Sequence, residues 1–140
     1  MNTLPPFHLA IPVHDLAAAR RFYGDILNCS QGRASEQWID WNFWGHQLVT
    51  HLDPNFTPQE AINLVDGKDI GVPHFGIVLE WSAWEVLKTR IVDSKLEFIL
   101  EPYVRFAGQP GEQGTFFVRD FSGNRLEFKT FKNIGQLFEK

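Results

Sequence analysis

The chain has 140 residues, 44% hydrophobic and 14% aromatic, with a single cysteine and a formal net charge of −4. That length suits one domain able to bury most of its apolar surface, and the apolar content excludes a disordered chain. The acidic balance, with no Lys/Arg cluster, argues against nucleic acid and against an anionic membrane surface as partners.

The N-terminal MNTLPPFHL lacks the basic start and apolar core of a secretory signal. No apolar run approaches the roughly 20 residues needed to cross a bilayer. Residues 7–13 (FHLAIPV) read as a strand, and Asp15 opens DLAAARRFYGDIL, where Leu16, Ala19, Phe22, Tyr23, Ile26 and Leu27 recur at helical spacing. Cys29 follows with no Cys or His beside it and reads as a buried spectator thiol. One cysteine forms no intrachain disulfide, so a cytoplasmic setting is expected. Gly32 follows amid polar residues that show no apolar period. Residues 38–44 (WIDWNFW) alternate as a half-buried strand, with Ile39, Trp41 and Phe43 on an apolar face and Trp38, Asp40, Asn42 and Trp44 on a mixed one. Gly45-His46 reads as a tight turn into a strand over 47–52, and residues 53–72 as a linker.

After the linker the order repeats. HFGIVLEW (74–81) is a strand, and Ser82-Ala83-Trp84-Glu85 has the form of a capping box for a helix with Trp84, Leu87 and Ile91 as its apolar stripe. Strands follow over 96–100 and 115–118, with a loop at 110–114 between them. Asp120-Phe121-Ser122-Gly123-Asn124 is a turn into the last strand, 125–129, and the tail from Asn133 reads as a short helix. The chain thus looks like two copies of strand–helix–strand–strand–strand. His8 and His74 head the first strands of the two copies, 66 residues apart, while Gly45 and Gly123 open the final strands, 78 apart. The longer second offset places an extended loop in the second copy, around residues 103–114.

Two histidines at equivalent strand starts raise the question of metal. Neutral imidazole is a good ligand for divalent metals, and a carboxylate adds the charge that histidines lack. Glu127 stands between Leu126 and Phe128, so on an alternating strand it faces away from both. A buried carboxylate needs a cation or water. A lone strand histidine or glutamate is commonly a surface residue; the combination of His8, His74 and Glu127 is what points to a shared metal.

The order FHLAIPVHDLAAARRFYGDIL, VPHFGIV and RDFSGNRLEF resembles the vicinal oxygen chelate superfamily over nearly the whole chain. That group includes glyoxalases, extradiol dioxygenases, fosfomycin- and bleomycin-resistance proteins and methylmalonyl-CoA epimerase. The resemblance implies an α+β fold, a single vicinal-oxygen-chelate domain over 1–140. Two βαβββ modules would form a curled mixed sheet around a metal-binding cleft, module one at about 5–53, linker 54–72, module two 73–131 and C-terminal tail 132–140. It also implies His8, His74 and Glu127 as metal ligands, a small-molecule substrate and a homodimer, with Fe2+ or Mn2+ ahead of Zn2+ or Ni2+.

Glyoxalase-like members draw a fourth ligand from the last strand of module one. If Gly45 matches Gly123, the residue matching Glu127 is Val49, which cannot coordinate, while His51 lies two further on the same face. His46, in the turn, is a weaker candidate. Two histidines and one carboxylate leave three positions open, as in non-haem Fe(II) oxygenases. A fourth ligand suits a hydrated metal that polarises a carbonyl. Tyr103 and Arg105, in EPYVRF, are the nearest acid–base and anion-pairing candidates, or else a packed phenol and a solvated charge. Trp38, Trp41, Trp44, Phe75, Phe116 and Phe117 either wall a pocket or form core. The expected activity is extradiol-dioxygenase-like; the alternatives are a glyoxalase-like lyase or isomerase and a non-catalytic drug-binding resistance protein.

Overall fold

A computed structural model describes residues 4–59 and 62–140. Met1–Thr3 of the N-terminal stretch, and Glu60 and Ala61 of the linker, lie outside the described residues. The chain divides into two units, one running to Pro58 with Phe121–Gly123 added, the other Gln59–Asp120 with Asn124–Lys140. Among the described residues no helix is long and apolar enough to cross a membrane.

In the first unit β1 (His8–Val13) leads into α1 (Leu16–Ala19), which widens into a π-helical stretch, Arg20–Ile26. The Asp15 carboxylate accepts the Ala17 and Ala18 N–H groups, satisfying donors that a helix start leaves unpaired. Three strands follow, β2 (Ser30–Ala34), β3 (Trp38–Phe43) and β4 (His46–Leu52). They form a sheet in the order β1-β4-β3-β2, with β1 parallel to β4. Ile39, Trp41, Phe43, Leu48 and Val13 bury the inner face with Phe22 and Tyr23 of the helix. Trp41 Nε1 donates to Thr50 Oγ1 at 3.1 Å, so the indole is a satisfied core group and no pocket wall. The polar stretch around Gly32 is a strand, all of whose side chains are exposed, which leaves no apolar alternation to read. One expectation is corrected. The turn is Trp44-Gly45, with φ of 50° and 90°, and His46 belongs to β4; both central residues of such a hairpin turn need positive φ.

The second unit repeats the order. β7 (Phe75–Leu79), α2 (Trp81–Asp93), β8 (Phe98–Arg105), β9 (Gln113–Arg119) and β10 (Arg125–Phe131) build a sheet ordered β7-β10-β9-β8, with β7 parallel to β10. A 3-10 turn, Ile134–Gln136, takes the place of the terminal helix. Trp84, Leu87 and Ile91 of α2 are buried with Phe116, Val118, Leu126 and Phe128. Trp84 Nε1 donates to the Phe128 carbonyl at 2.9 Å, fastening helix to sheet. The capping box is not used: Glu80 is the N-cap, without a side-chain hydrogen bond, and Ser82 lies inside the helix. Part of the loop expected at 110–114 belongs to β9, which begins at Gln113. The linker holds a small hairpin, β5 (Leu64–Val65) and β6 (Lys68–Asp69), around an Asp66-Gly67 turn with φ of 53° and 74°. The molecule is therefore α+β, with two mixed four-stranded sheets of βαβββ connectivity.

Candidate functional site

Glu127 stands on β10 between Leu126 and Phe128, both wholly buried toward α2, so its carboxylate emerges on the other face of the second sheet. In the parallel pairing Leu126 lies level with Phe75 and Glu127 with Gly76, which sets His74 one step before the strand and level with Arg125. His74 Nε2 is 3.2 Å from Glu127 Oε1, with the two side chains 20% and 16% exposed. The ring is held from three sides. Its Nδ1 lies 2.7 Å from the Gly71 carbonyl, which only accepts, so the proton sits on Nδ1. Phe117 stands edge-on at 4.9 Å. Thr115 Oγ1 donates to the other carboxylate oxygen, Oε2, at 2.6 Å.

The electrostatics follow. The Glu127 hydrogen bond raises the His74 pKa above 6.5, with burial working against it and the Gly71 carbonyl adding to it. Burial pushes the Glu127 carboxyl up, but the hydrogen bonds from His74 and Thr115, with the Lys129 charge, outweigh it and its pKa lies below 4.5. Each partner thus favours the charged form of the other.

Tyr103 and Arg105 lie on the same face. β8 is irregular between Phe98 and Tyr103, and past that irregularity Tyr103 pairs with Thr115 and Arg105 with Gln113. Both side chains are committed to Asp66: the Tyr103 hydroxyl donates to Oδ2 at 3.0 Å, and Arg105 Nε is 2.7 Å from the same oxygen. Burial, then Asp66, holds the Tyr103 phenol above its ordinary 10.0, so it is a proton donor and not a base at neutral pH.

In the first unit His8, Val49 and His51 share one sheet face, since His8 pairs with Gln47, Ala10 with Val49 and Pro12 with His51. His8 Nδ1 is 2.9 Å from Gln47 Oε1. A carboxamide oxygen accepts, so this contact favours the tautomer with its proton on Nδ1, which turns Nε2 away from Gln47. His46 Nδ1 accepts the Phe7 N–H at 2.8 Å. By register Val49 is the counterpart of Glu127, Gln47 of Arg125 and His51 of Lys129.

The His74–Glu127 pair fits a divalent cation. Each ring nitrogen has one task, the carbonyl-bound Nδ1 and the outward Nε2, which is how metal-ligating histidines are oriented. Two ligands on bonds of about 2.1 Å, at tetrahedral to octahedral angles, stand about 3 to 3.4 Å apart, and Nε2 and Oε1 are at 3.2 Å. Among the described residues no group of three or more His, Cys, Asp and Glu side chains gathers closely enough to hold a metal. The residues that sequence reading missed are Gly71, Gln47, Thr115 and Asp66. Only the last carried a local cue, since Asp-Gly between short strands is a hairpin signature.

Residues 6–128 match the glyoxalase/bleomycin resistance protein/dioxygenase superfamily. A crystal structure of a glyoxalase/bleomycin resistance protein/dioxygenase from Alicyclobacillus acidocaldarius is similar at 31% identity and a TM-score of 0.79, over 96% of both chains. A glyoxalase/dioxygenase from Nostoc punctiforme is similar at 18% identity and a TM-score of 0.68, over 95% of this chain and 99% of that one. Lactoylglutathione lyase from Agrobacterium tumefaciens shares the fold at 17% identity and a TM-score of 0.64, over 100% of each. Among curated proteins none matches the chain significantly.

Proposed function

Because the chain belongs to the glyoxalase/bleomycin resistance protein/dioxygenase superfamily, we propose that it is a metal-dependent enzyme that takes its small-molecule substrate through two adjacent oxygens. Ring cleavage of a catecholic diol is the reaction best supported. The observation that carries this is the His74–Glu127 pair, with Nε2 and Oε1 turned to one another at 3.2 Å while Gly71 and Thr115 hold the remaining polar atoms. His74 and Glu127 are ligands, and the family pattern adds His8, whose Nδ1 lies against Gln47. Val49 at the counterpart of Glu127 supports a set of three protein ligands. When bound, Fe2+ or Mn2+ in such a set supplies Lewis acidity and three open positions.

A glyoxalase-like lyase or isomerase using Zn2+ or Ni2+ is the second reading. It is supported by His51, an exposed imidazole on the face that bears His8 and Val49. A drug-binding resistance protein has no need of the His74–Glu127 pair, which weighs against that alternative. The family resemblance favours a homodimer, and the single cysteine favours a cytoplasmic setting.

Elemental analysis after expression with added Fe, Mn, Zn or Ni is expected to find about one metal per chain. His8→Ala, His74→Ala and Glu127→Gln are expected to lose it and His51→Ala to keep it. Oxygen uptake with catechols, set against isomerisation of glutathione hemithioacetals, then separates the two reactions. Protein that stays empty under metal supplementation overturns both readings.

A further inference from the structure

The face of the second sheet that carries His74 and Glu127 also carries a carboxylate-binding arrangement, and the chain fills it with its own side chain. Arg105 Nε lies 2.7 Å from Asp66 Oδ2, its terminal nitrogen donates to Oδ1 at 3.3 Å, and the Tyr103 hydroxyl donates to Oδ2 at 3.0 Å. A guanidinium N–H on one oxygen and a phenol on the other, with the Nε of Arg105 close by but not aligned to donate, is a set suited to a carboxylate. The phenol is protonated and donates, as anion recognition requires.

Asp66 does not belong to the sheet it caps. It is the first central residue of the turn in the β5–β6 hairpin, whose strands are two residues each, with Leu64 exposed. So short a hairpin holds little of its own structure. The Asp66 side chain is 42% exposed and that of Arg105 25%, and ion pairs this open to water exchange readily.

We propose that Arg105 and Tyr103 form the subsite for a carboxylate on the substrate, and that Asp66 is a built-in surrogate which the substrate displaces as the hairpin swings away. Resting on the function proposed above, this narrows the substrate class to small acids that bear a carboxylate beside their vicinal oxygens. Asp66 is a tethered competitor at an effective concentration on the order of millimolar, so apparent affinity falls by the fraction of molecules in which the subsite is closed.

Benzoate binding to the full chain in the presence of a chelator tests the subsite without reference to metal. Asn also suits the first position of the turn, so Asp66→Asn keeps the hairpin and removes the competing charge. The variant is expected to bind benzoate about tenfold more tightly than the wild type, with no such gain for neutral benzamide. Adding Arg105→Gln to it is expected to abolish the gain. Equal benzoate affinity in wild type and Asp66→Asn overturns the proposal. A second readout needs no variant: benzoate is expected to speed tryptic cleavage after Lys68 in the wild type, and an unchanged rate overturns displacement of the hairpin. Metal content, measured in parallel, keeps the two ideas apart. A full complement of metal without the benzoate gain removes the subsite alone; the gain without metal removes the metalloenzyme reading alone.

Discussion

Among single residues, the setting of Glu127 depends on a glycine across the strand boundary. Gly76 pairs with Glu127, and a Cβ built there runs into the Glu127 main-chain carbonyl. Backbone cannot yield as a flexible side chain can. Gly76→Ala is therefore expected to push β10 from β7, costing about 1–3 kcal/mol as overpacking does, and to reduce metal uptake. Thermal denaturation checks the first effect and elemental analysis the second; an unchanged melting temperature would mean that the strands absorb the methyl group. His74 and Glu127 were legible because histidine and glutamate are rare among apolar strand residues and stand out in the text. Gly71, Thr115 and Gln47, which hold the rings and the carboxylate, were not. A threonine or glutamine acquires such a role only from what faces it across a strand.

Between elements, the contact from the residue that heads β7 to β10 is electrostatic and so depends on pH. The His74 pKa is raised above 6.5 in the folded chain, so its contribution is fully present below pH 6.5 and lost as pH rises through the folded value. The Glu127 pKa is depressed below 4.5, so its contribution is present above pH 4.5 and lost as pH falls through the folded value. The two overlap between pH 4.5 and 6.5. In metal-free protein the difference in melting temperature between wild type and His74→Gln is expected to be largest in that window and to shrink on either side. A difference that does not vary with pH would mean the two groups are not coupled. Elements themselves were legible where burial imposes a period. Strand β3 and helix α2 appear from their apolar faces, whereas β2, exposed along its whole length, left no such trace. The β5–β6 hairpin was announced only by Asp66-Gly67, which is too short a signal beside a stretch without periodicity.

For the molecule as a whole, the internal duplication is visible as a repeated register. His8 lies level with Gln47, two residues after the turn glycine Gly45, and His74 lies level with Arg125, two after Gly123. If the folded chain takes a metal that the unfolded chain does not, mass action stabilises the fold by about 2.7 kcal/mol at a hundredfold excess over Kd. For a chain of this size the melting temperature is then expected to rise by about 5–10 °C. Scanning calorimetry with and without metal checks this, and Glu127→Gln is expected to remove the shift.

Most elements in their order, the duplication and the family, though not β2 or the β5–β6 hairpin, followed from the sequence alone, because apolar period and turn residues are local properties that folding has to respect. The pairing of His74 with Glu127, the Nδ1 partners of the two imidazoles and the capture of Asp66 by Tyr103 and Arg105 were decided only in three dimensions. Each depends on strand register and on which face a side chain leaves, and residues dozens of positions apart become neighbours only when strands pair.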